Sequence, residues 1–392
     1  MTEEQKFHYF DWASTSPSDK QILQEALEIS QSAWANPSSI HTGGKEARSV
    51  LESSREKCAS VLGVKPEQIY FTSGGTESNH IPLLSVLNRP KKGTVLLSSI
   101  EHPANREMAS SLQKCGWKTV FIPSSPDGII TPSSVEKCLS EDTVFVSIMA
   151  VNNETGAIQP VYQIAELLKK FYNGKRKPKF HIDCVQAAGK IPLDISFDGI
   201  DSASFSAHKI SGPRGIGILY LKDTIEPFLK GGGQEKYIRS GTENLFGAVA
   251  FSKCLEKYFI RKENSSASER FEKQKEYTSD FIKKLLQLDG VSLIPENRLS
   301  KPDDYSPWVV QAAFKNIPGQ VMLRALDAEG FYISTGSACS AKKNNRPVLK
   351  AMNIPESLSE TAVRFSFGFE TEKKAMDELF EKVKEIYKRF NP

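Results

Sequence analysis

The segment Ser202-Ala-Ser-Phe-Ser-Ala-His208-Lys209-Ile-Ser-Gly212-Pro213 reads as a short apolar strand that runs directly into a His-Lys pair and then breaks at Gly-Pro. The backbone of Lys209 is leaving a buried element, which puts its amine at the mouth of a core. A desolvated lysine amine is a nucleophile toward carbonyl carbon, the chemistry of a Schiff base. The same pattern recurs outward from this strand. Apolar, β-branched runs at 68–72, 93–98, 119–122, 143–149 and 179–183 alternate with helical stretches such as 161–172. Such alternation predicts an α/β fold with a mainly parallel sheet covered on both faces. A polar helical stretch over 259–287 leads to an α+β part that opens with a strand at 291–294 and ends in a helix over 372–390. The expected division is a large domain over 17–262 and a smaller one built from 1–16 together with 263–392.

Composition narrows the function. Hydrophobic residues make up 39% and charged residues 25% of the 392 positions, enough for a globular core. The net charge of +4 is not gathered into a basic block, which argues against nucleic-acid binding. The first residues, Met1-Thr-Glu-Glu-Gln-Lys-Phe, carry no apolar stretch of the secretory kind, and the longest apolar run, 144–151, is too short to cross a bilayer. A cytoplasmic protein is expected. The six cysteines form no Cys-x-x-Cys pair and no cluster with histidines, so reduced thiols rather than a metal site are expected.

Several motifs fall at predicted C-terminal strand ends, the edge where open α/β sheets bind ligands. In Phe71-Thr-Ser-Gly74-Gly75-Thr76-Glu77 a strand ends, two glycines turn the chain and a helix begins, which suits a phosphate. An ordinary capped strand–helix turn would carry the same residues. Asp183 ends an apolar strand, and burying it requires a partner such as a pyridinium nitrogen, unless it is a helix cap. Asn153 follows another strand, and His102 follows the strand at 93–98, placed to stack on a ring. A phosphate cradle, an anion for a ring nitrogen and a Schiff-base lysine on one edge describe pyridoxal 5′-phosphate.

These residues resemble a known family. Tyr-Phe-Asp11-Trp-Ala-Ser-Thr-Ser-Pro17, Asn36-Pro-Ser-Ser-Ile-His41, Thr72-Ser-Gly-Gly-Thr-Glu-Ser-Asn79, Glu101-His-Pro-Ala104, Val151-Asn-Asn-Glu-Thr-Gly156, His181-Ile-Asp-Cys-Val-Gln-Ala-Ala188 and Ser206-Ala-His-Lys-Ile-Ser-Gly-Pro213 are similar, in order, to the cysteine desulfurases of the class V aminotransferase superfamily. The resemblance implies a fold type I enzyme related to aspartate aminotransferase. It implies that Lys209 carries the cofactor as a Schiff base, that Asp183 pairs with the pyridine nitrogen, that Gln186 meets the phenolate and that His102 stacks on the ring. Thr76, Ser206 and His208 would hold the phosphate beside the Gly75 backbone, with Asn153 near phenolate and substrate. The segment Gly231-Gly-Gly-Gln-Glu-Lys-Tyr-Ile-Arg239-Ser-Gly-Thr242 resembles a loop whose threonine reaches the phosphate of a neighbouring subunit, which implies a homodimer.

Cys339 lies in Ser334-Thr-Gly-Ser-Ala-Cys339-Ser-Ala-Lys-Lys, where small residues precede it and a lysine-rich polar run follows. Little area can be buried there, so a mobile loop is expected, and Lys342 and Lys343 would favour the thiolate. The resemblance makes Cys339 the sulfur acceptor and looks like the group I, NifS/IscS-like branch. Arg364, in a strand-like run, is the natural clamp for the carboxylate of L-cysteine. The implied reaction converts L-cysteine to alanine and passes persulfide sulfur to an acceptor such as an iron–sulfur scaffold or a tRNA-thiolation protein. Another class V enzyme (a selenocysteine lyase or an aminotransferase), a non-catalytic sulfur-relay protein and a phosphate-binding α/β protein without the cofactor remain alternatives. Three positions depart from the family pattern: Trp12, expected beside the substrate, His80 and Tyr237.

Overall fold

The computed structural model describes residues 7–260, 265–336 and 346–391. Seven strands form one sheet in the order β1-β7-β6-β5-β4-β2-β3. They are β1 Ile69–Thr72, β2 Thr94–Ser98, β3 Lys118–Ile122, β4 Thr143–Met149, β5 Lys179–Asp183, β6 Ser202–Ser206 and β7 Gly217–Leu221. The pairings from β3 through β2, β4 and β5 to β6 are all parallel, and β7 alone runs against its neighbours β6 and β1. The mainly parallel sheet expected from the sequence is therefore present. Its inner strands β2, β5 and β6 are almost wholly buried, as a sheet covered on both faces requires, while β3 at the edge is half-exposed. The sequence reading did not include β7. Its five residues follow Gly212-Pro-Arg-Gly-Ile216, which with Gly217 reads as one long turn.

Because six strands run the same way, their C-terminal ends share one edge. The chain leaves that edge through Gly75 and Thr76 after β1, His102 after β2, Asn153 after β4, Gln186 after β5 and Lys209 after β6. The doubly wound topology thus gathers residues from five separate segments.

A second sheet, in the order β10-β9-β8, is antiparallel: β8 Val291–Ile294, β9 Val309–Phe314 and β10 Ala362–Ser366. The helix Lys373–Phe390 packs on it through Leu379, Val383 and Ile386, a spacing that lines up one face. Phe281 meets Phe365 and Phe367 edge-on, contacts worth about 0.5–1.5 kcal/mol each beyond their buried area. The N-terminal strip joins this second core. Phe10 N–H donates to the Tyr332 carbonyl at 2.8 Å and the Phe10 carbonyl accepts from Ser366 N–H at 2.8 Å, which lays residues 8–11 beside β10. Trp12 turns inward and covers Gly368, where a Cβ would stand 1.9 Å from the indole, so only glycine fits there.

One buried ion pair shapes the loop after β7. Arg55, 2% exposed, donates through both terminal nitrogens to the two carboxylate oxygens of Glu235, at 2.7 Å each. Glu235 also accepts from Phe71 N–H at 2.7 Å. Glu235, Lys236 and Tyr237 all carry positive φ, of 46°, 54° and 69°. Each costs about 1–2 kcal/mol in a residue with a side chain, so the bidentate pair must offset the strain. Arg55→Met leaves the Glu235 carboxylate buried without its partner. The expected loss is about 3–5 kcal/mol of unfolding free energy, read as a lower urea midpoint, and an unchanged midpoint would contradict this account.

Candidate active site

One cavity at the shared strand edge is lined by Gly75, Thr76, His102, Asn153, Asp183, Gln186, Ser206, His208, Lys209 and Arg364, together with Ala13, Ser14 and Asn79. Ten of the residues singled out in the sequence are thus brought together. Thr242 is exposed and does not line this cavity. Cys339 lies outside the described residues. Trp12, expected beside the substrate, is 3% exposed and also absent from the cavity wall, because its indole packs on Gly368 and donates to the Tyr9 carbonyl.

Lys209 reaches the cavity because β6 passes into a single tight turn over Ala207–Lys209. Its Nζ donates to the Ala13 and Ser14 carbonyls at 2.6 Å each. Opposite it, Asp183 is 4% exposed. It accepts from Val185 N–H at 2.9 Å and from Asn79 Nδ2 at 2.8 Å. Burial raises the Asp183 pKa, while those hydrogen bonds and the charge of Lys209 work against the rise. Asn79 is oriented in turn by His181 and Ser204, which donate to its Oδ1 at 2.8 and 2.5 Å. The ring of His181 then carries its proton on Nε2, and Nδ1 accepts from Ser202 at 2.8 Å. Asn79 and His181 carry no signal of this role in the motifs that contain them, because their link to Asp183 exists only once β5, β6 and the helix Gly75–Leu84 are packed.

A second carboxylate lies close by. Glu101 is fully buried and accepts from Ser98, Asn105 and the Met149 N–H. Burial, then repulsion from Asp183, pushes it up to about 7. At the other end, β10 delivers Arg364, 1% exposed, whose guanidinium donates to the Asn153 carbonyl at 2.8 Å, to Asp11 at 2.7 Å and to Ser14 Oγ at 2.8 Å. Residues 333–336, which precede Cys339, run beside this strand: Arg364 N–H donates to the Ser334 carbonyl at 2.6 Å. On the far side of 337–345, Arg346 donates to the Ala362 carbonyl at 2.8 Å.

The cavity fits pyridoxal phosphate on its own chemistry. Arg364 Nε and Asn153 Oδ1 are buried without partners, as atoms that await a ligand would be. At Gly75, the first residue of a helix whose N-terminal N–H groups suit a phosphate, a Cβ would meet Val185 at 2.7 Å, so glycine lets this helix start pack closely against the turn after β5. Asp183 offers an anion, Thr76, Ser206 and His208 offer donors, and Lys209 offers an amine. His80, a departure from the family pattern, bonds the Ala104 carbonyl at 3.1 Å rather than a site residue.

Three histidines of this region are held neutral. Burial, followed by the charges of Lys209 and Arg106, lowers His102 to about 4. Burial alone lowers His181 to about 3, and burial with Lys209 and Lys190 lowers His208 to about 3. The unfolded chain binds protons at these positions near pH 6.5 and the folded chain does not. Their contribution to stability is therefore complete above about pH 6.5 and is lost as pH falls through the folded values. Urea midpoints should fall steadily as the pH drops from about 6.5 toward about 4, with a shallower fall in His181→Gln; a flat profile would contradict the neutral assignment.

Comparison with known proteins agrees with this geometry. The profile of the family described as "Aminotransferase class-V" matches residues 8–379. A "NifS/IcsS protein homolog" of Lactobacillus delbrueckii subsp. bulgaricus is 36% identical, the match covering 98% of each chain. A "Cysteine desulfurase IscS" of Methanosarcina thermophila is 34% identical over 99% of this chain and 94% of its own. Among solved structures, a "NIFS-LIKE PROTEIN" superposes with a TM-score of 0.87 at 34% identity, covering 96% of this chain and 98% of its own. A NifS-like protein from Rickettsia africae gives a TM-score of 0.83 at 27% identity, covering 97% and 99%. The fold is that of the type I pyridoxal phosphate enzymes, and the cofactor is pyridoxal 5′-phosphate. With a parallel sheet that brings a lysine, an aspartate and an arginine to one cavity and relatives matched along almost its whole length, the chain belongs to the class V aminotransferase family.

Proposed function

We infer that the protein is a pyridoxal phosphate-dependent cysteine desulfurase of the NifS/IscS kind. The observation that carries this is the convergence of Lys209, Asp183 and Arg364 on one cavity in a chain whose full-length relatives bear that name. When bound, the cofactor supplies an electron sink for charge developing at the substrate α-carbon. Lys209 would hold the cofactor through its amine, which is also placed to move the proton at the substrate α-carbon. Asp183 holds the pyridine nitrogen protonated, with Asn79 holding Asp183. Thr76, Ser206 and His208 would hold the phosphate beside the Gly75 backbone, Gln186 and Asn153 would serve the ring oxygen, and His102 would support the ring. Arg364 binds the L-cysteine carboxylate, with Asp11 and Ser14 steadying its guanidinium.

Cys339 is the proposed nucleophile. Its thiolate attacks the substrate sulfur, the carbon–sulfur bond breaks, a sulfur–sulfur bond forms on Cys339, and the carbon skeleton leaves as L-alanine after taking up a proton. The attachment of residues 333–336 and of Arg346 beside β10 supports this role, since both ends of the intervening stretch start next to Arg364. We propose a homodimer in which Thr242 reaches the neighbouring subunit's phosphate site; its exposure and absence from its own cavity suit that reading. The persulfide passes to an acceptor protein, for iron–sulfur cluster assembly or tRNA thiolation. A cytoplasmic setting agrees with five free cysteines among the described residues, and none of their helices is long and apolar enough to cross a membrane.

Cys339→Ala should keep the cofactor's colour and lose sulfide release from L-cysteine; full retained desulfuration would sink the assignment. Arg364→Lys replaces a forked donor by a point charge, and should raise KM for L-cysteine by about 10- to 100-fold. An unchanged KM would remove Arg364 from substrate binding.

A further inference from the structure

Lys190 lies one turn beyond Gln186, is 4% exposed, and donates from Nζ to Gln186 Oε1 at 2.7 Å. Among the described residues no carboxylate forms an ion pair with it. The charged or titratable groups that bear on it are Lys209, Arg364 and His208. Burial, then the charges of Lys209 and Arg364, holds its pKa well below the usual lysine range. A buried amine without an anion costs stability, so its presence beside the cavity asks for a reason. Its backbone is pinned as well, because Trp308 Nε1 donates to the Lys190 carbonyl at 2.6 Å.

We propose that Lys190 is a positioning residue that holds the Gln186 amide with its N–H face toward the cavity. This rests on the reading of the cavity as the pyridoxal phosphate site. Gln186 Nε2 donates one hydrogen to the Ala13 carbonyl at 2.8 Å, and its Oε1 is taken by Lys190. If the amide turned over, its oxygen would face the Ala13 carbonyl, two acceptors in contact, and its NH2 would face the Lys190 amine. One orientation is therefore selected, and in it the second Nε2 hydrogen remains for a ligand oxygen. Gln186 lines the cavity, so that hydrogen is available to the cofactor's ring oxygen, and a donor there favours the anionic oxygen. Removing Lys190 leaves the Ala13 carbonyl as the amide's one orienting contact and the buried Oε1 without a donor, which loosens the N–H donation to the ring oxygen and makes the bound chromophore hold its proton more tightly.

The test is a pH titration of the visible absorbance of the purified holoenzyme and its variants. Lys190→Met should raise the apparent pKa of the bound cofactor by about one unit, a tenfold gain in proton affinity. Lys190→Gln, whose side-chain N–H can still donate to Gln186 Oε1, should stay close to wild type. Gln186→Leu should show the rise of Lys190→Met, and adding Lys190→Met to it should change nothing further. A coloured, titrating wild type with an unmoved pKa in Lys190→Met overturns the inference alone, as does a Lys190→Gln shift equal to that of Lys190→Met. If Lys190→Met does not fold, a raised pKa in Gln186→Leu with a wild-type value in Lys190→Gln supports the inference, and an unmoved Gln186→Leu overturns it. A wild type that shows no cofactor absorbance on addition of pyridoxal phosphate overturns the site reading and this inference with it.

Discussion

A guanidinium that is 1% exposed has to be paired, and Arg364 is paired by three residues from two other stretches of chain at once. Asp11 and Ser14 come from the N-terminal strip, and Asn153 comes from the turn after β4. None of these belongs to β10, which carries the arginine. The second sheet therefore meets the first where it does because this one charge must be satisfied. The N-terminal strip is drawn in by the same demand and by its own backbone bonds to Tyr332 and Ser366. The Ala13 and Ser14 carbonyls then stand over Lys209. A single desolvated cation thus sets the width of the cavity and the position of the lysine amine, and its Nε stays unpartnered toward the place where a carboxylate would bind.

The opposite wall obeys the same logic with the sign reversed. Asp183 is an anion at the end of a buried strand, and the chain surrounds it with neutral donors rather than a dedicated cation. Asn79 relays to His181 and Ser204, and each member of the relay can make only the bonds its neighbour leaves open. A network so constrained leaves the carboxylate stabilised but not neutralised. Glu101, held nearby by three donors, stands behind the same wall with its pKa pushed up to about 7 by burial and by Asp183. The potential across the cavity runs from negative at Asp183 to positive at Lys209 and Arg364, which matches a ligand cationic at one end and anionic at the other.

The strand ends were legible in the sequence because they combine two local signals: a short apolar run, then a costly-to-bury residue or a glycine turn that ends it. Asp183, Lys209 and the Gly74-Gly75-Thr76 turn announce themselves this way. The strand β7 carried no such signal, since its glycine-rich approach looks like a turn and its partner β6 lies just before it in the chain. Roles that depend on packing were hidden as well. Asn79 acts on Asp183 across 104 positions, and Asp11 on Arg364 across 353, distances over which no periodicity reports. Lys190 was invisible for a different reason: a lysine in a polar-looking stretch reads as surface until the Trp308 bond and the Gln186 amide show it to be interior. The resemblance puts Trp12 beside the substrate, whereas the indole is taken up by the space above Gly368 and does not line the cavity.

The run of three left-handed residues at 235–237 bears on how such sequences drift. Where backbone conformation is left to local preference, glycine is close to mandatory at positive φ. Here the conformation is imposed from a distance, by Arg55 gripping Glu235, so the identity of the following residues is released from that requirement. Tyr237 uses this freedom: it keeps a φ of 69° while exposing 71% of its surface, with its ring lying against Gly233. Constraint has moved from the residue that adopts the conformation to a distant pair that enforces it. A lineage that holds this pair can explore bulky side chains on an exposed loop without altering the loop's path.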